Sequence, residues 1–394
     1  MPADEQKELK AERSGNNLTV ALINPTSGER TAAEFVRSQL VANLGRANVF
    51  DLFPVGRPAV PEAKEFLSGL HPATVILAGG DGTVSLALDI LDELRSTNRI
   101  PVASACVAVV PMGTGNDLSR TLGFGSGYVK PVVEPEKKFK RRLDQIAHAK
   151  RIKMDRWSLL LRKKPALSPT GVNEDGYSRR DSRADADDND GATVGRKTMM
   201  NYFSIGFDAG IANEFSAFRN KHPRLCAQRS LNKLWYGCFA CGSLCSSTAL
   251  PRQQLQLHVD GTLVSLPSGA KALVVTNVTT YAGGAVLWED HKGRFLAPDV
   301  GDGLLEVTAL YGVWHAAGVK MGIRKARKVA QGARLRILVP AHLSMQVDGE
   351  PMEGVAPANE MIEVSITRLS TTLVMKCEGH HHHHHHDEND ASEK

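Results

Sequence analysis

Two apolar runs each end in a glycine-rich turn and open into a helical pattern, and this pair constrains the chain more than any other feature. The first, TVILAGGDGTVSLALDIL from Thr74 to Leu91, carries Val75, Ile76 and Leu77 into Gly79-Gly80-Asp81-Gly82-Thr83. The second, ACVAVVPMGTGNDLSR from Ala105 to Arg120, carries an apolar run ending at Val110 into Gly113-Thr114-Gly115-Asn116-Asp117. Strand, turn and helix in that order place both loops at the carboxyl ends of buried strands. Glycine lets the backbone come close to a ligand, and the helix N-terminus behind it offers unpaired N–H groups to an anion. Neither loop is a Walker A motif, because both lack the closing Gly-Lys-Ser/Thr, so no lysine inside the turn neutralises phosphate. Each loop supplies instead a carboxylate (Asp81, Asp117) and a threonine (Thr83, Thr114), groups suited to a hydrated Mg²⁺ ion. Together they read as one nucleotide-phosphate site.

A third unit of the same kind comes first. Leu18–Ile23 reads as a strand, Asn24-Pro25-Thr26-Ser27-Gly28 as its turn, and Glu29–Leu44 as a helix. Asn24 and Ser27 therefore join the candidate nucleotide-binding residues. A short strand at Asn48–Phe53 and a helix at Ala59–Leu70 continue the alternation. Residues 18–130 are expected to form an α/β domain on a largely parallel sheet, behind a polar, disordered lead-in over 1–17.

The basic stretch Pro131–Lys153 reads as the link to a second domain spanning 150–370. There strand patterns dominate: IKMDRWSLLL, TMMNYFSIGF, Leu255–Val259, Lys271–Val278, Gly303–Tyr311, Leu335–Val339, Leu343–Val347 and Met361–Lys376. A helix is expected over Ala209–Ser247, and a disordered insertion over 165–195. This spacing predicts a mainly β, sandwich-like or barrel-like domain, with the active site in the interdomain cleft. The tail 378–394 holds seven histidines (His380–His386) and then acids, a tag or a low-complexity tract outside the fold.

Bulk properties narrow the function. A length of 394 residues suits two domains, and 42% hydrophobic with 23% charged residues suits sizeable cores. A net charge of +5 does not call for nucleic acid but permits attraction to an anionic membrane surface. No apolar run approaches a bilayer span, the polar start is not a secretory signal, and the clustered cysteines fit a reducing cytoplasm. No protein partner is inferred.

Several further residues carry two readings. Asp348-Gly349-Glu350 closes LSMQVDGEPM, and Asp-Gly is the commonest two-residue hairpin signal. The stretch HVDGTLV at His258–Val264 has the same pattern around Asp260 without an acid after the glycine, so Glu350 is what separates the two. Asp299 and Asp302 in PDVGDGLLEV read as metal ligands or as loop formers. Cys238, Cys241 and Cys245 share a helix face and read as small hydrophobes rather than zinc ligands. His222 and His315 stand alone. The run Lys320, Arg324, Lys325, Arg327 and Lys328 reads as a solvated helix face or a lipid-headgroup surface, and the Lys137–Arg142 cluster is a second candidate for membrane contact.

The segments INPTSG, LAGGDGTVSLALDIL, VPMGTGNDLSRTLGFG, MDRWSLL, NYFSIGFDAGIANEF, NKLWY, APDVGDGLLEV and QVDGEPM together resemble the eukaryotic diacylglycerol kinase family. GGDGT alone is shared with NAD kinases; in combination with GTGNDLSR, NYFSIGFDA and NKLWY it is specific. The resemblance covers most of 18–376. It implies an ATP-dependent lipid kinase converting diacylglycerol to phosphatidic acid in the cytoplasm, peripherally on a membrane; a sphingoid-base or ceramide kinase is the alternative, and a non-catalytic scaffold a further one. It places the residues matching Asp81, Thr114 and Asp117 at the nucleotide–magnesium site, Asp302 at an accessory metal site of bacterial members, and Asp348 and Glu350 near the transferred phosphate. Either Asp348 or Asp81 is then the base. Two departures stand out: the insertion after the Asp155-Arg156-Trp157 strand, and no C1 modules or calcium-binding hands ahead of the kinase portion. Membrane recruitment is accordingly expected from the kinase surface itself.

Overall fold

The computed structural model describes residues 18–54, 57–100, 105–128, 133–164, 192–222, 248–289, 295–352, 357 and 359–377. The amino-terminal part alternates as its patterning demands: β1 (Thr19–Ile23), α1 (Arg30–Leu44), β2 (Val49–Asp51), α2 (Val60–Leu67), β3 (Thr74–Gly79), α3 (Asp81–Ser96), β4 (Cys106–Pro111), a short α4 (Asp117–Thr121) and α5 (Pro135–Ala147). Val20–Ile23, Val75–Ala78 and Cys106–Val110 are buried throughout, as continuous apolar strands covered on both faces should be. β1 pairs in parallel with β2 and β3, and β3 with β4. The order β2-β1-β3-β4 brings the turns after β1, β3 and β4 to one carboxyl edge.

The basic stretch expected to link two domains contains α5 instead. Its Phe139 is fully buried and meets Phe35 of α1 and Tyr128 edge-on, so the helix packs on the first layer. Phe139 and Ile146 are its only buried side chains, which is why dense lysines and arginines hid its amphipathic pattern.

The remainder contains β5 (Lys150–Lys164), β6 (Thr193–Met199), β7 (Tyr202–Gly206), α6 (Phe207–Lys221), β8 (Gln256–Val259), β9 (Thr262–Val264), β10 (Ala272–Thr276), β11 (Leu305–Leu310), α7 (Val313–Lys320), β12 (Arg327–Gly332), β13 (Leu335–Pro340), β14 (Met345–Val347), β15 (Glu350–Pro351) and β16 (Met361–Lys376). β16 pairs along its length with β5 and with β13, then joins the parallel strands at Val374↔Val107. A second sheet runs β12-β11-β10-β7-β14-β15. Trp157, Leu159, Phe203, Ile205, Leu273, Val275 and Ile337 fill the space between the two sheets. The result is an α/β domain with a mainly β sandwich beside it.

Three local expectations change. TMMNYFSIGF breaks at Met200-Asn201 into β6 and β7, and β6 claims Thr193–Gly195 from the end of the expected insertion. The helix expected from Ala209 begins at Phe207 and is described to Lys221. The basic run is no single helix face: Lys320 ends α7, whereas Arg327 and Lys328 open β12. Residues 1–17, 165–191, the NKLWY segment, Cys238, Cys241, Cys245 and the histidine tail lie outside the described residues.

One buried cation ties the two parts together. Arg156 of β5 is fully buried and reaches Asp89 and Asp92 of α3, both at 2.5 Å. Ser370 of β16 and Thr198 of β6 donate to the same acids at 2.9 and 3.1 Å. The helix whose first residue is Asp81 is thereby fixed against the sandwich.

Candidate active site

The glycine turns are pressed against one another. A Cβ on Gly113 would lie 2.5 Å from the Gly80 Cα, and one on Gly28 would lie 2.0 Å from the Met112 carbonyl oxygen. Gly28 also sits at φ 77°, so the turn after β1 needs glycine twice over. Polar side chains brace this junction. Asn24 donates through Nδ2 to Thr83 Oγ1 at 2.9 Å and accepts from the Thr26 N–H at 3.0 Å. Asn116, in the left-handed region at φ 52°, accepts from the Gly113 N–H and donates to the carbonyls of Gly113 and Ser126. Gly79 lies against Thr83, and the Ser27 hydroxyl faces Gly80. Gly82 and Thr114 stand towards the open side; a Cβ on Gly82 would meet nothing within 4 Å.

Asp81 and Asp117 are brought side by side around Gly115, whose added Cβ would lie 3.3 Å from Asp81 Oδ2 and 3.4 Å from Asp117 Oδ2. Asp81 accepts from the N–H groups of Asp117 (3.1 Å) and Leu118 (3.3 Å) at the start of α4. Burial and then the Asp117 charge lift Asp81 to about 6. Asp117 is itself pushed up by burial, although backbone N–H groups from the sandwich hold it down: Gly283 donates at 3.0 Å and Gly284 at 3.1 Å. Two crowded carboxylates fit a divalent cation whose remaining shell is water and phosphate oxygen. Asp302 does not join them. It accepts from the Leu304 N–H at 2.9 Å, and burial, then the charges of Asp299 and Asp155, raise it. Among the described residues no group of three or more His, Cys, Asp or Glu side chains is gathered as a metal site.

The cation missing from the turns arrives from outside them. Arg120 donates to the Gly115 carbonyl at 3.0 Å, and Lys320 at the end of α7 donates to the Ala282 carbonyl at 2.9 Å. Burial lowers the Lys320 ammonium, with Asp117 opposing the shift, and Arg120 holds Asp117 down in turn, so both cations act on Asp117.

Asp348 occupies the hairpin between β14 and β15 at φ 51°. Its carboxylate accepts from the N–H groups of Met200 (2.8 Å), Asn201 (2.7 Å) and Tyr202 (2.9 Å) at the β6–β7 break. Burial outweighs these bonds and lifts it to about 6, and its charge in turn raises Asp81. Asp260 in the look-alike hairpin repeats the local geometry: φ 49°, with N–H donors from Ala333 and Arg334. What distinguishes Asp348 is its neighbourhood, not its turn. Glu350 is exposed and points to Arg219 at 3.7 Å, so backbone N–H groups, rather than Glu350, orient Asp348.

Other contributors carry little sequence signal. Tyr281 and Ser204 both donate to Asp208, whose Oδ1 is buried without a partner. Gln346 donates to Ser204 at 2.7 Å and accepts from the Gly349 N–H at 2.7 Å. Asp208 thus connects the loop that holds Asp117 to the hairpin that holds Asp348. The pair Gly283-Gly284, following an apolar strand, was the one legible clue to that loop.

A β-sandwich closing over paired glycine turns defines a two-domain α/β-plus-β class. Within it, the family description "Diacylglycerol kinase catalytic domain" matches residues 19–155 and "Diacylglycerol kinase accessory domain" matches 198–351. The chain belongs to the diacylglycerol kinase family. It is 32% identical to diacylglycerol kinase 2 of Arabidopsis thaliana over 84% of this chain and 43% of that protein. It is 33% identical to diacylglycerol kinase theta of Homo sapiens over 84% of this chain and 32% of that protein. The chain therefore spans less than half the length of either relative. A solved structure titled as a putative diacylglycerol kinase from Bacillus anthracis covers 91% of the chain at 16% identity and a TM-score of 0.47.

Proposed function

We propose that this chain transfers the γ-phosphoryl group of ATP to the free hydroxyl of diacylglycerol, giving phosphatidic acid and ADP, as a cytoplasmic protein docked peripherally on an anionic membrane. The observation that carries the reading is the closure of Asp81 and Asp117, from two glycine turns, by the Gly283-Gly284 loop of the facing sandwich. Residues 18–130 hold the nucleotide and 150–370 present the lipid. The N–H groups of Gly80–Thr83 and Thr114–Asn116 meet the phosphates, with Asn24 and Ser27 bracing the first turn. Asp81 and Asp117 would hold Mg²⁺, which when bound spreads the charge of the phosphate oxygens. Arg120 and Lys320 add fixed positive charge beside them.

Asp348 takes the proton from the lipid hydroxyl as its oxygen attacks phosphorus and the bond to the ADP oxygen breaks. A carboxylate titrating near 6 is ionised at neutral pH yet more basic than an ordinary aspartate. The test is labelled ATP with mixed micelles of diacylglycerol, sphingosine or ceramide, run beside soluble NAD. Labelled phosphatidic acid is expected; label on another acceptor would move the substrate class, and no product with any acceptor would favour a scaffold.

A further inference from the structure

Of the nine exposed large apolar side chains among the described residues, four fall between Tyr311 and Ile323. Trp314 is 73% exposed, Met321 66% and Ile323 74%. Trp314 and Met321, which caps α7, are seven residues apart, which puts them on one side of the helix, away from buried Val319. Their exposure does not come from a loose loop. Met321 donates to Ala317, Gly322 to Val319, and both Ile323 and Arg324 to Gly318, so the backbone after α7 is closed by its own hydrogen bonds. The Arg324 stem lies across Gly318, where a Cβ would be 2.9 Å from its Cδ. Ile323 is thus held outward on a rigid turn, and cations follow at once at Arg324, Lys325 and Arg327.

We infer that Trp314, Met321 and Ile323 form an apolar rim that inserts into an anionic lipid surface, with Arg324 and Arg327 as its headgroup contacts, beside the mouth of the active-site cleft. An exposed tryptophan and aliphatic tips edged by arginines match the layering of a bilayer interface, where rings and chains enter the acyl boundary and cations remain among the headgroups. The rim's position gives it a use. Lys320, one residue before Met321, touches Ala282, and the next residue, Gly283, donates to Asp117. A membrane engaged by the rim would lie against the edge of the cleft, so that a lipid hydroxyl need rise only a short way to reach it.

The inference deepens the lipid-kinase reading and rests on it only for the reason a membrane is met. Vesicles of phosphatidylcholine, with and without phosphatidylserine, are floated with the wild type, with W314A/M321A/I323A, and with R324E/R327E. The triple variant is expected to lose about tenfold or more in partitioning to both vesicle types. The charge variant should lose only the increment given by phosphatidylserine, together with its salt sensitivity. Both should phosphorylate short-chain diacylglycerol in detergent at the wild-type rate, because neither touches the paired carboxylates. Failure of the wild type in that assay would count against the kinase reading and leave the flotation result standing. Triple-variant flotation equal to wild type would overturn the rim. Unchanged flotation with loss of a concentration-dependent dimer in sedimentation would assign the face to a second copy of the chain instead.

Discussion

Gly113 and Gly80 meet backbone to backbone: a Cβ on Gly113 would fall 2.5 Å from the Gly80 Cα, closer than any real side chain tolerates. The two turns are therefore one unit, and the glycines within them differ in purpose. Gly113→Ala should cost roughly 1–3 kcal/mol in denaturation, the usual penalty of overpacking, and should distort both turns. Gly82 has open space and a helical setting, so Gly82→Ala should melt no lower than wild type. Its methyl nevertheless stands where phosphate would approach, so ATP affinity measured by calorimetry should still fall. Equal stability losses at the two positions would contradict this division.

Asp81 separates stability from function. Its folded value near 6 lies above the ordinary aspartate value, so the folded protein binds that proton more tightly than the unfolded chain does. The associated stability is present below about 4 and is lost as pH rises through about 6. At pH 7.5 and without added cation, the ionised carboxylate therefore disfavours the fold by up to about 3 kcal/mol. Asp81→Asn should consequently leave the melting temperature at pH 7.5 unchanged or raised while nearly abolishing turnover. Added Mg²⁺ should stabilise the wild type at pH 7.5 more than at pH 5, and should do little for the variant. A large drop in melting temperature for Asp81→Asn would show that its hydrogen bonds to Asp117 and Leu118 outweigh the charge.

Lys320 provides charge from the sandwich side that the glycine turns lack. Lys320→Ala removes a hydrogen bond to Ala282 as well as a cation, and Lys320→Arg restores the charge with a different reach. The alanine variant should bind ATP roughly tenfold to a hundredfold more weakly, in keeping with about 1.5–3 kcal/mol for a charge-assisted bond, with partial recovery in the arginine variant. Alanine and wild-type affinities within twofold of each other would remove Lys320 from the site.

What was legible in the sequence was local. The turns around Asp81 and Asp117 announce themselves because strand, glycine and helix follow one another within a few residues, and the alternation around them specifies the parallel strands. The contributions of Asp208 and Arg156 depend on partners far along the chain, with no pattern to mark them, and Lys320 reads only as part of a basic run. Arg156 looks like any charge in a strand until β5 is seen crossing α3. In α5, two buried side chains under a dense basic surface read as a link. Asp348 and Asp260 show the limit most clearly: two hairpins carry the same dipeptide, nearly the same positive φ and a carboxylate that accepts from backbone N–H groups. Only burial and the nearby charge of Asp81 tell them apart.

That pair provides the most direct test of phosphoryl transfer across the cleft. Metal binding would leave Asp81 a poorer base, because a cation stabilises its ionised form, whereas Asp348, on the sandwich side, would face the acceptor in the proposed reaction. Turnover and ATP affinity should be measured separately for Asp348→Asn, Glu350→Gln and Asp260→Asn, with kcat followed against pH in the wild type. Asp348→Asn should lower kcat by several orders of magnitude with ATP affinity nearly intact, and wild-type kcat should fall as pH drops through about 6. Glu350→Gln should have a mild effect, since its side chain turns to Arg219, and Asp260→Asn should leave kcat unchanged. Equal, mild losses at Asp348 and Asp260 would make both of them hairpin formers and return the base to Asp81.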